Sequence, residues 1–275
     1  MNSKNFFTES FSEHHQALPR TRYLCPMRYF IHLQYNGTPY HGWQIQPNAS
    51  SVQETLNEAL SRIFHQTIET TGCGRTDTGV HAQDFYAHFE LETEIQDVSM
   101  VLKKFDSMRL KGICVLDIFP VADDLHARFS ATSRTYEYRI MRRRNPFLEN
   151  QAHYIYGALD VEKMNQAAQY LLGKKDFSAF SKSNTQVFTD ICTVSFAQWE
   201  AKDELLIFTI TADRFLRNMV RAIVGTLLDV GYQKIDPTSI PEIIKSGNRS
   251  QAGISVPACG LFLTKVEYPF ENKGF

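Results

Sequence analysis

The hydrophobic positions along the chain change their period several times, and each change predicts a different element. Alternate residues of the stretch 28–35 are apolar or aromatic, which is typical of a strand with one buried face. Beyond a loop rich in glycine and proline, apolar residues recur at helical spacing over 52–64. Ser51 and Glu54 form a capping-box pattern at the start of that helix. Alternation returns over 85–91 and predicts a second strand.

The second half of the chain shows the same mixture of periods. Its predicted elements are a strand around 136–140, a helix capped by Asp160 that includes Leu172 and ends at Gly173, a hairpin of 191–199 with 204–211, a helix over 215–230 ended by Gly231, and a strand over 261–266. Helices and tight turns both connect the strands. This mixture favours an α+β fold with a largely antiparallel sheet over a doubly wound parallel sheet.

Residues 1–27 show no sustained period and end in Pro26 and Met27. We expect them to form a flexible leader, or to arise from an upstream start codon with Met27 as the true first residue. The remainder is expected to divide into an N-terminal lobe, 28–122, and a C-terminal lobe, 123–275. The leader lacks the apolar stretch of a secretory signal, and apolar runs elsewhere are too short to span a bilayer. We therefore expect no membrane partner.

Cysteine usage and charge narrow the possible partners. The five cysteines have no paired or metal-binding spacing, so the sequence supports neither a zinc site nor a disulfide framework, and a reducing cytoplasm is the expected location. The net charge of −1, from 29 Lys and Arg against 30 Asp and Glu, argues against a nucleic-acid partner. However, six arginines lie within 125–145, and a second cluster contains Arg214, Arg217 and Arg221. One such cluster is typical of a solvated face, whereas two with interleaved aromatics favour a phosphate backbone.

The densest group of candidate residues is the glycine-rich loop 72–82, which carries Asp77 between Arg75 and His81. Loops held between regular elements often carry catalytic residues, and the two basic neighbours indicate a polar site that favours anions. An aspartate in such a loop can instead cap a turn. The Asp-Thr-Gly triplet also occurs in aspartic proteases, but those enzymes need two carboxylates that share a proton, and one copy is present here. Asp77 is therefore the candidate catalytic carboxylate.

Two further segments combine arginines with aromatic residues. Over 125–138 the two types alternate, as stacking of a base beside a phosphate would require. Tyr138 is expected to pack inward, whereas for Tyr136 inward packing and base stacking are both open. The helix predicted near 214–225 places one polar stripe along its surface, formed by Arg214, Arg217, Asn218 and Arg221. Such a stripe is either solvated, or it turns one arginine toward a buried carboxylate and keeps that carboxylate charged.

Six segments, in order, resemble the tRNA pseudouridine synthase A family over about residues 28–269. They are 35–44, 74–81 with the sequence Gly-Arg-Thr-Asp-Thr-Gly-Val-His, 126–136, 171–180, 215–221 and 252–263. Three positions depart from the family's pattern. Thr78 stands where the family usually has alanine, and Cys259 and Phe262 replace an expected histidine and tyrosine. The leader has no counterpart in the family.

The resemblance implies a two-lobed α+β pseudouridine synthase fold, with flanking helices around a central, mostly antiparallel sheet and a cleft between the lobes. It implies a homodimer that isomerises uridine to pseudouridine at positions 38–40 in the anticodon arm of tRNA, without a cofactor or a metal. Asp77 would be the nucleophile. The implied substrate-binding residues are Tyr136, which would stack on the flipped uracil, Arg221, which would pair with Asp77, and Arg75, Arg217 and Leu263. A non-catalytic RNA-binding protein on the same scaffold is the alternative.

Overall fold

A computed structural model describes residues 26–182 and 189–270. Residues 1–25 of the expected leader lie outside the described residues. Met27, in contrast, is the first residue of a strand and packs against a cluster of buried side chains. The expected boundary of the leader is therefore wrong at Met27, because this side chain already belongs to the folded part.

The described residues form one sheet of ten strands. The strands are β1 (Met27–Tyr35), β2 (Thr71–Gly72), β3 (His81–Leu91), β4 (Ile113–Pro120), β5 (Ser133–Met141), β6 (His153–Tyr154), β7 (Gly173–Asp176), β8 (Ile191–Lys202), β9 (Leu205–Ala212) and β10 (Leu261–Glu267). The main path runs β4-β1-β3-β10-β5-β9-β8-β7 and is antiparallel except where β3 meets β10. The expected central, mostly antiparallel sheet is confirmed.

Five helices accompany the sheet in the described part of the chain. They are α1 (Val52–Phe64), α2 (Val98–Met108), α3 (Val161–Gln169), α4 (Met219–Gly231) and α5 (Ser239–Ser246). Ser51 Oγ accepts the N–H of Glu54 at 3.2 Å, which confirms the serine half of the capping pattern at α1. Within the described ranges, no helix is long and apolar enough to cross a bilayer. The α+β fold class is confirmed.

The buried side chains form two clusters that meet at β10. The first packs between α1 and the strands β1 and β3, and it includes Phe85. The second packs between α3, α4 and the strands β5, β8 and β9, and it includes Phe208. β10 contributes Leu263 to the first cluster and Leu261 to the second, and the partly buried Tyr136 packs against both. We refer to the region around Tyr136, Leu261 and Leu263 as the seam.

The helix expected over 215–230 begins later than its apolar spacing suggests. α4 starts at Met219, because Asn218 has a φ of 66° and so leaves the helical region of backbone space. The expected stripe of Arg214, Arg217, Asn218 and Arg221 is therefore wrong. Only Arg221 lies in α4, and the other residues of the stripe precede the helix. At its other end α4 includes Gly231, with Tyr232 as the cap.

The helix capped by Asp160 is shorter than expected. α3 ends at Gln169, so the expected continuation through Leu172 is wrong. Gly173, with a φ of 92°, opens β7 and does not close the helix. Apolar residues that follow a helix directly cannot be distinguished by spacing from its last turn. The expected hairpin is confirmed, with β8 and β9 joined at Asp203, whose φ is 53°.

Candidate active site

The loop between β2 and β3, residues 73–80, carries Asp77 and packs against the segment 36–43. Gly42 has a φ of 94°, and a β-carbon there would lie 2.4 Å from the carbonyl oxygen of Thr76. A β-carbon on Gly37 would lie 2.0 Å from the carbonyl oxygen of Val80. Both positions require glycine because the two backbones touch. This contact fixes the Asp77 loop from one side.

Hydrogen bonds complete the attachment of the Asp77 loop. The Trp43 N–H donates to the Thr76 carbonyl oxygen at 3.3 Å, and the hydroxyl oxygens of Tyr35 and Thr76 lie 2.9 Å apart. The Val80 N–H donates to the Asp77 carbonyl oxygen at 3.1 Å and closes a turn around the aspartate. The loop is therefore held by its backbone and by Thr76, which leaves the Asp77 carboxylate available for other contacts.

The carboxylate of Asp77 lies next to Arg221, a residue far away in sequence. Arg221 Nη1 donates to Asp77 Oδ2 at 3.2 Å, and the side chains of Arg221 and Asp77 are 21% and 29% exposed. Arg221 Nε donates to the Val256 carbonyl oxygen at 2.8 Å, so the guanidinium is held from two sides. The pairing expected from the sequence is present. Its charge-assisted hydrogen bond orients the carboxylate.

Arg221 is positioned by backbone contact between α4 and the segment 252–257. A β-carbon on Gly225 would lie 1.8 Å from the carbonyl oxygen of Ile254, which shows how closely the segment approaches the helix. Asn218 Nδ2 donates to Ser255 Oγ at 2.6 Å and ties the start of α4 to the same segment. The acceptor for Arg221 Nε is therefore part of a fixed surface.

Tyr136 and Leu263 are direct neighbours across β5 and β10. Leu263 is 1% exposed, and the Tyr136 ring makes an edge contact with the Phe215 ring at 5.1 Å. Burial raises the pKa of Tyr136 above its usual value, and the Cys73 thiol and the Asp77 carboxylate raise it further. The hydroxyl therefore stays protonated at neutral pH and can donate a hydrogen bond. The part of the seam that contains Tyr136 and Leu263 therefore lies beside the Asp77 loop.

Four arginines gather around the same loop: Arg75, Arg128, Arg134 and Arg214. The pKa of Arg128 is lowered first by burial and then by the other three guanidinium groups, so the four charges lie close together. Arg75 itself is exposed. This arginine group concentrates positive charge beside Asp77, which suits a phosphate backbone.

Arg134 is the residue of this group whose role sequence reasoning missed. Arg134 donates to the Cys73 carbonyl oxygen at 3.1 Å and to the Asp213 carbonyl oxygen at 2.9 Å, so it ties the Asp77 loop to the approach to α4. Its position two residues before Tyr136 on one strand face was the available signal.

Arg217 and His81 lie outside the immediate surroundings of the Asp77 carboxylate. Arg217 is exposed in the turn before α4, and in the described structure it makes no hydrogen bond or ion pair with Asp77. His81 is 2% exposed, and its Nδ1 accepts the Gly37 N–H at 3.1 Å. Its Nε2 therefore carries the proton and donates to the Cys259 carbonyl oxygen at 3.2 Å. Burial lowers the pKa of His81, which agrees with a neutral ring.

His81 is thus a buried link between the segment 36–43 and the residues before β10. The Phe262 ring stacks on His81 at 4.4 Å, so both Cys259 and Phe262, which depart from the family's pattern, contact this histidine. Within residues 26–182 and 189–270, no three histidine, cysteine, aspartate or glutamate side chains are grouped so that they could hold a metal ion.

The chain resembles known proteins over most of its length. A family model described as tRNA pseudouridine synthase matches residues 167–269. The tRNA pseudouridine synthase A of Bacteroides fragilis is 49% identical over 245 residues, which cover 89% of this chain and 97% of that protein. The chain belongs to the tRNA pseudouridine synthase A family. Another member, the tRNA pseudouridine synthase A 2 of Clostridium perfringens, is 40% identical over 86% of this chain and 97% of its own length.

Proposed function

We propose that the protein is a tRNA pseudouridine synthase that isomerises uridines at positions 38–40 of the anticodon arm. The observation that carries the proposal is the Asp77 carboxylate at the seam. Its Oδ2 contacts Arg221, and its Oδ1 has no hydrogen-bond partner within the described part of the chain. A fixed carboxylate with one oxygen free of hydrogen bonds is suited to nucleophilic or electrostatic catalysis.

The reaction is an internal rearrangement of the nucleotide. The bond between N1 of uracil and C1′ of the sugar breaks, the base turns, and a bond forms between C5 and C1′. The proton on C5 leaves and N1 gains a proton, so the atoms balance without an oxidant or a second substrate. Attack of Asp77 on C1′, its attack on C6 of the base, and removal of a sugar proton are all compatible with its placement.

The surrounding residues supply what this chemistry needs. The target base must leave the stack of the anticodon arm, at a cost of about a few kcal/mol. Contacts of Arg75 and its neighbours in the arginine group with backbone phosphates offset that cost. Tyr136 forms the floor against which the extruded uracil rests, and Leu263 packs beside it in β10 and supports it. Arg221 holds the Asp77 carboxylate in one orientation, and Arg217 extends the basic surface toward the tRNA.

We further propose that residues 28–122 and 123–275 act as two lobes with the tRNA between them. The presence of two clusters of buried side chains supports two lobes, with Ala127, Ala131 and part of β10 packing in the first cluster. We also propose that the protein works as a homodimer in the cytoplasm, where its tRNA substrate is found.

The experiment that tests the function is release of tritium from unmodified tRNA labelled at C5 of uracil. The wild-type protein is expected to release tritium, and Asp77→Asn is expected to bind the same tRNA and release none. Asp203→Asn is the matched control, because Asp203 lies in the exposed β8–β9 turn with a φ of 53°, which asparagine tolerates well.

Each result has a distinct meaning. If the wild type and Asp77→Asn both bind tRNA and neither releases tritium, the protein is a non-catalytic RNA-binding module for this substrate. If Asp77→Asn releases tritium at the wild-type rate, the reaction occurs without Asp77 as the catalytic group.

A further inference from the structure

The loop between β4 and β5, residues 125–130, exposes a large aromatic side chain next to the Asp77 loop. Phe129 is 75% exposed, although burial of a phenylalanine side chain stabilises a protein. Its ring contacts the His126 ring at 4.4 Å between centroids, and most of the side chain stays accessible to solvent. An exposed aromatic ring beside a site proposed to bind a planar base is a candidate contact for the substrate.

The Phe129 loop is held by hydrogen bonds to two imidazole rings, of which His88 is buried and His126 is half-buried. His126 Nδ1 accepts the N–H groups of Arg128 and Phe129 at 3.0 and 3.3 Å. His88 Nδ1 accepts the Ala127 N–H at 3.1 Å. Because two imidazole nitrogens hold three consecutive N–H groups, the loop has one defined conformation. Phe129 is therefore presented in a fixed position, which lowers the entropy cost of binding a partner.

Arg134 connects the Phe129 loop directly to the Asp77 loop. One of its Nη atoms, Nη2, donates both to the Cys73 carbonyl oxygen and to the Arg128 carbonyl oxygen. Cys73 precedes Asp77 by four residues. The aromatic ring and the carboxylate are thus carried by two loops that share one arginine.

The surroundings of Phe129 are strongly basic. The Arg128 guanidinium lies 5.5 Å from the centre of the Phe129 ring, and the other members of the arginine group lie close to Arg128. An apolar protein partner would leave these charges unpaired. A nucleic acid satisfies both features, because its bases stack on the ring while its phosphates meet the guanidinium groups.

We propose that Phe129 is a base-stacking residue that holds an unpaired base of the anticodon arm next to the target uridine. Extrusion of the target leaves a neighbouring base without its stacking partner, and the exposed ring of Phe129 replaces that partner. The inference rests on the proposed function, because it assigns Phe129 to the same substrate. It adds a contact that depends on the flat face of a base and so tolerates any base at that position.

The test compares Phe129→Ala with Phe129→Trp in equilibrium binding of unmodified tRNA and in steady-state tritium release. Loss of one stacking contact is expected to weaken binding and raise KM by roughly tenfold in Phe129→Ala, with kcat within about threefold of the wild type. Phe129→Trp is expected to bind within about twofold of the wild type. The indole it introduces should be quenched by tRNA, whereas Trp43 and Trp199 are only 3% and 2% exposed.

Tyr232→Ala is the matched control, since Tyr232 is an exposed aromatic ring with Lys234 5.4 Å from its centre, at the end of α4 away from Arg221. It is expected to leave binding and KM unchanged. Arg128→Gln should reduce the slope of log K against log salt by about one, whereas Phe129→Ala should leave the slope unchanged.

Three results would overturn the inference: wild-type binding by Phe129→Ala, equal losses in Phe129→Ala and Phe129→Trp, or an indole that tRNA does not quench. Binding is measured with each variant in the Asp77→Asn background, which prevents turnover, so the two proposals fail separately. A wild type that binds tRNA but releases no tritium contradicts the proposed function. Normal binding by Phe129→Ala with full turnover contradicts only the stacking role.

Discussion

Asp77 and Asp84 lie seven residues apart, and each is paired with a basic side chain, yet their surroundings differ. Asp84 Oδ1 lies 2.7 Å from His32 Nε2, and Asp84 Oδ2 accepts the Val266 N–H at 2.6 Å. Asp77 has a single side-chain contact, at 3.2 Å, and its side chain is 29% exposed compared with 16% for Asp84. Asp84 has a partner on each oxygen, whereas Asp77 keeps one oxygen open.

The difference separates a carboxylate that joins strands from one that is available for chemistry. Asp84 connects β1, β3 and β10, and the His32 ring stacks on the Tyr86 ring at 4.4 Å. Its hydrogen bonds are fully used by the fold, so a substrate would have to displace them. Asp77 sits in a loop fixed by its backbone and Thr76, so its side chain contributes little to the fold. Both aspartates pair with a basic side chain, so that pairing does not distinguish their roles. The number of carboxylate oxygens that accept a hydrogen bond does.

The largest effect is expected for Asp77→Asn. Loss of the proposed nucleophile should lower the rate of tritium release by about 10³-fold or more. The same change should move the thermal midpoint by less than about 2 °C, because the carboxylate supports no strand pairing. Calorimetry and the release assay on the same sample measure both quantities. A large fall in the midpoint would make Asp77 a structural residue like Asp84.

Arg221→Lys is expected to lower kcat by roughly 10- to 100-fold. Lysine has no counterpart to Nε, so it cannot bond the Val256 carbonyl oxygen and Asp77 at once in the same geometry. Steady-state kinetics with Arg62→Lys as the control measures the effect, since Arg62 is exposed on α1. Full activity of Arg221→Lys would show that a positive charge near Asp77 suffices and that the simultaneous bonds to Asp77 and to the Val256 carbonyl oxygen are unimportant.

Asp84→Asn tests the other side of the comparison. One of the two contacts of Asp84 is lost, because the amide nitrogen cannot accept a hydrogen bond. The free energy of unfolding should fall by about 1–3 kcal/mol, measured by denaturant titration. Turnover per folded molecule should stay within a few-fold of the wild type. An unchanged stability together with a lost activity would place Asp84 in the catalytic apparatus.

The smallest expected effect is on the pH dependence of stability, through His88, which supports the Phe129 loop. Burial, and after it the neighbouring His126, lowers the pKa of His88 from 6.5 to about 4. The unfolded chain therefore binds this proton first, and the contribution of neutral His88 to stability is present above pH 6.5 and lost between pH 6.5 and 4. His88→Asn keeps an acceptor for the Ala127 N–H and should flatten the fall of the thermal midpoint over that range.

His65→Asn serves as the control for the pH experiment, because His65 is exposed with a φ of 56°, where asparagine is well tolerated. The control should retain the wild-type pH dependence. Equal pH profiles for all three proteins would contradict the assignment to His88.

Local patterns in the sequence predicted much of the fold. The alternation of β1 and β3, the capped start of α1 and the β8–β9 hairpin depend on neighbouring residues, and all are present. The start of α4 was wrong because a left-handed Asn218 interrupts an apolar spacing that continues across it. The strand order was beyond prediction, because it depends on pairing between residues far apart in sequence.

The candidate site, too, was predicted from the sequence only where it depends on neighbouring residues. The glycine-rich loop drew attention to Asp77 by composition alone. That Arg221, and not Arg217, reaches Asp77 follows from the start of α4 and from the backbone of 252–257, which no spacing rule encodes. The bridging role of Arg134 was hidden for the same reason, since its acceptors lie in other segments of the chain.

The place of β10 in the sheet has a consequence for the order of events during synthesis. β10 follows α5 in sequence, yet it lies between β3 and β5, where Phe262 and Leu263 pair with His81 and Ala82. A ribosome that has completed α5 has already made Asp77 and Arg221, but the strand between the two sheet halves is still absent. Such long-range closure is slow and comes late in folding. In a nascent chain that still lacks β10, β3 and β5 have no strand between them, so the sheet that carries the Asp77 loop and Tyr136 is completed only after β10 has been made.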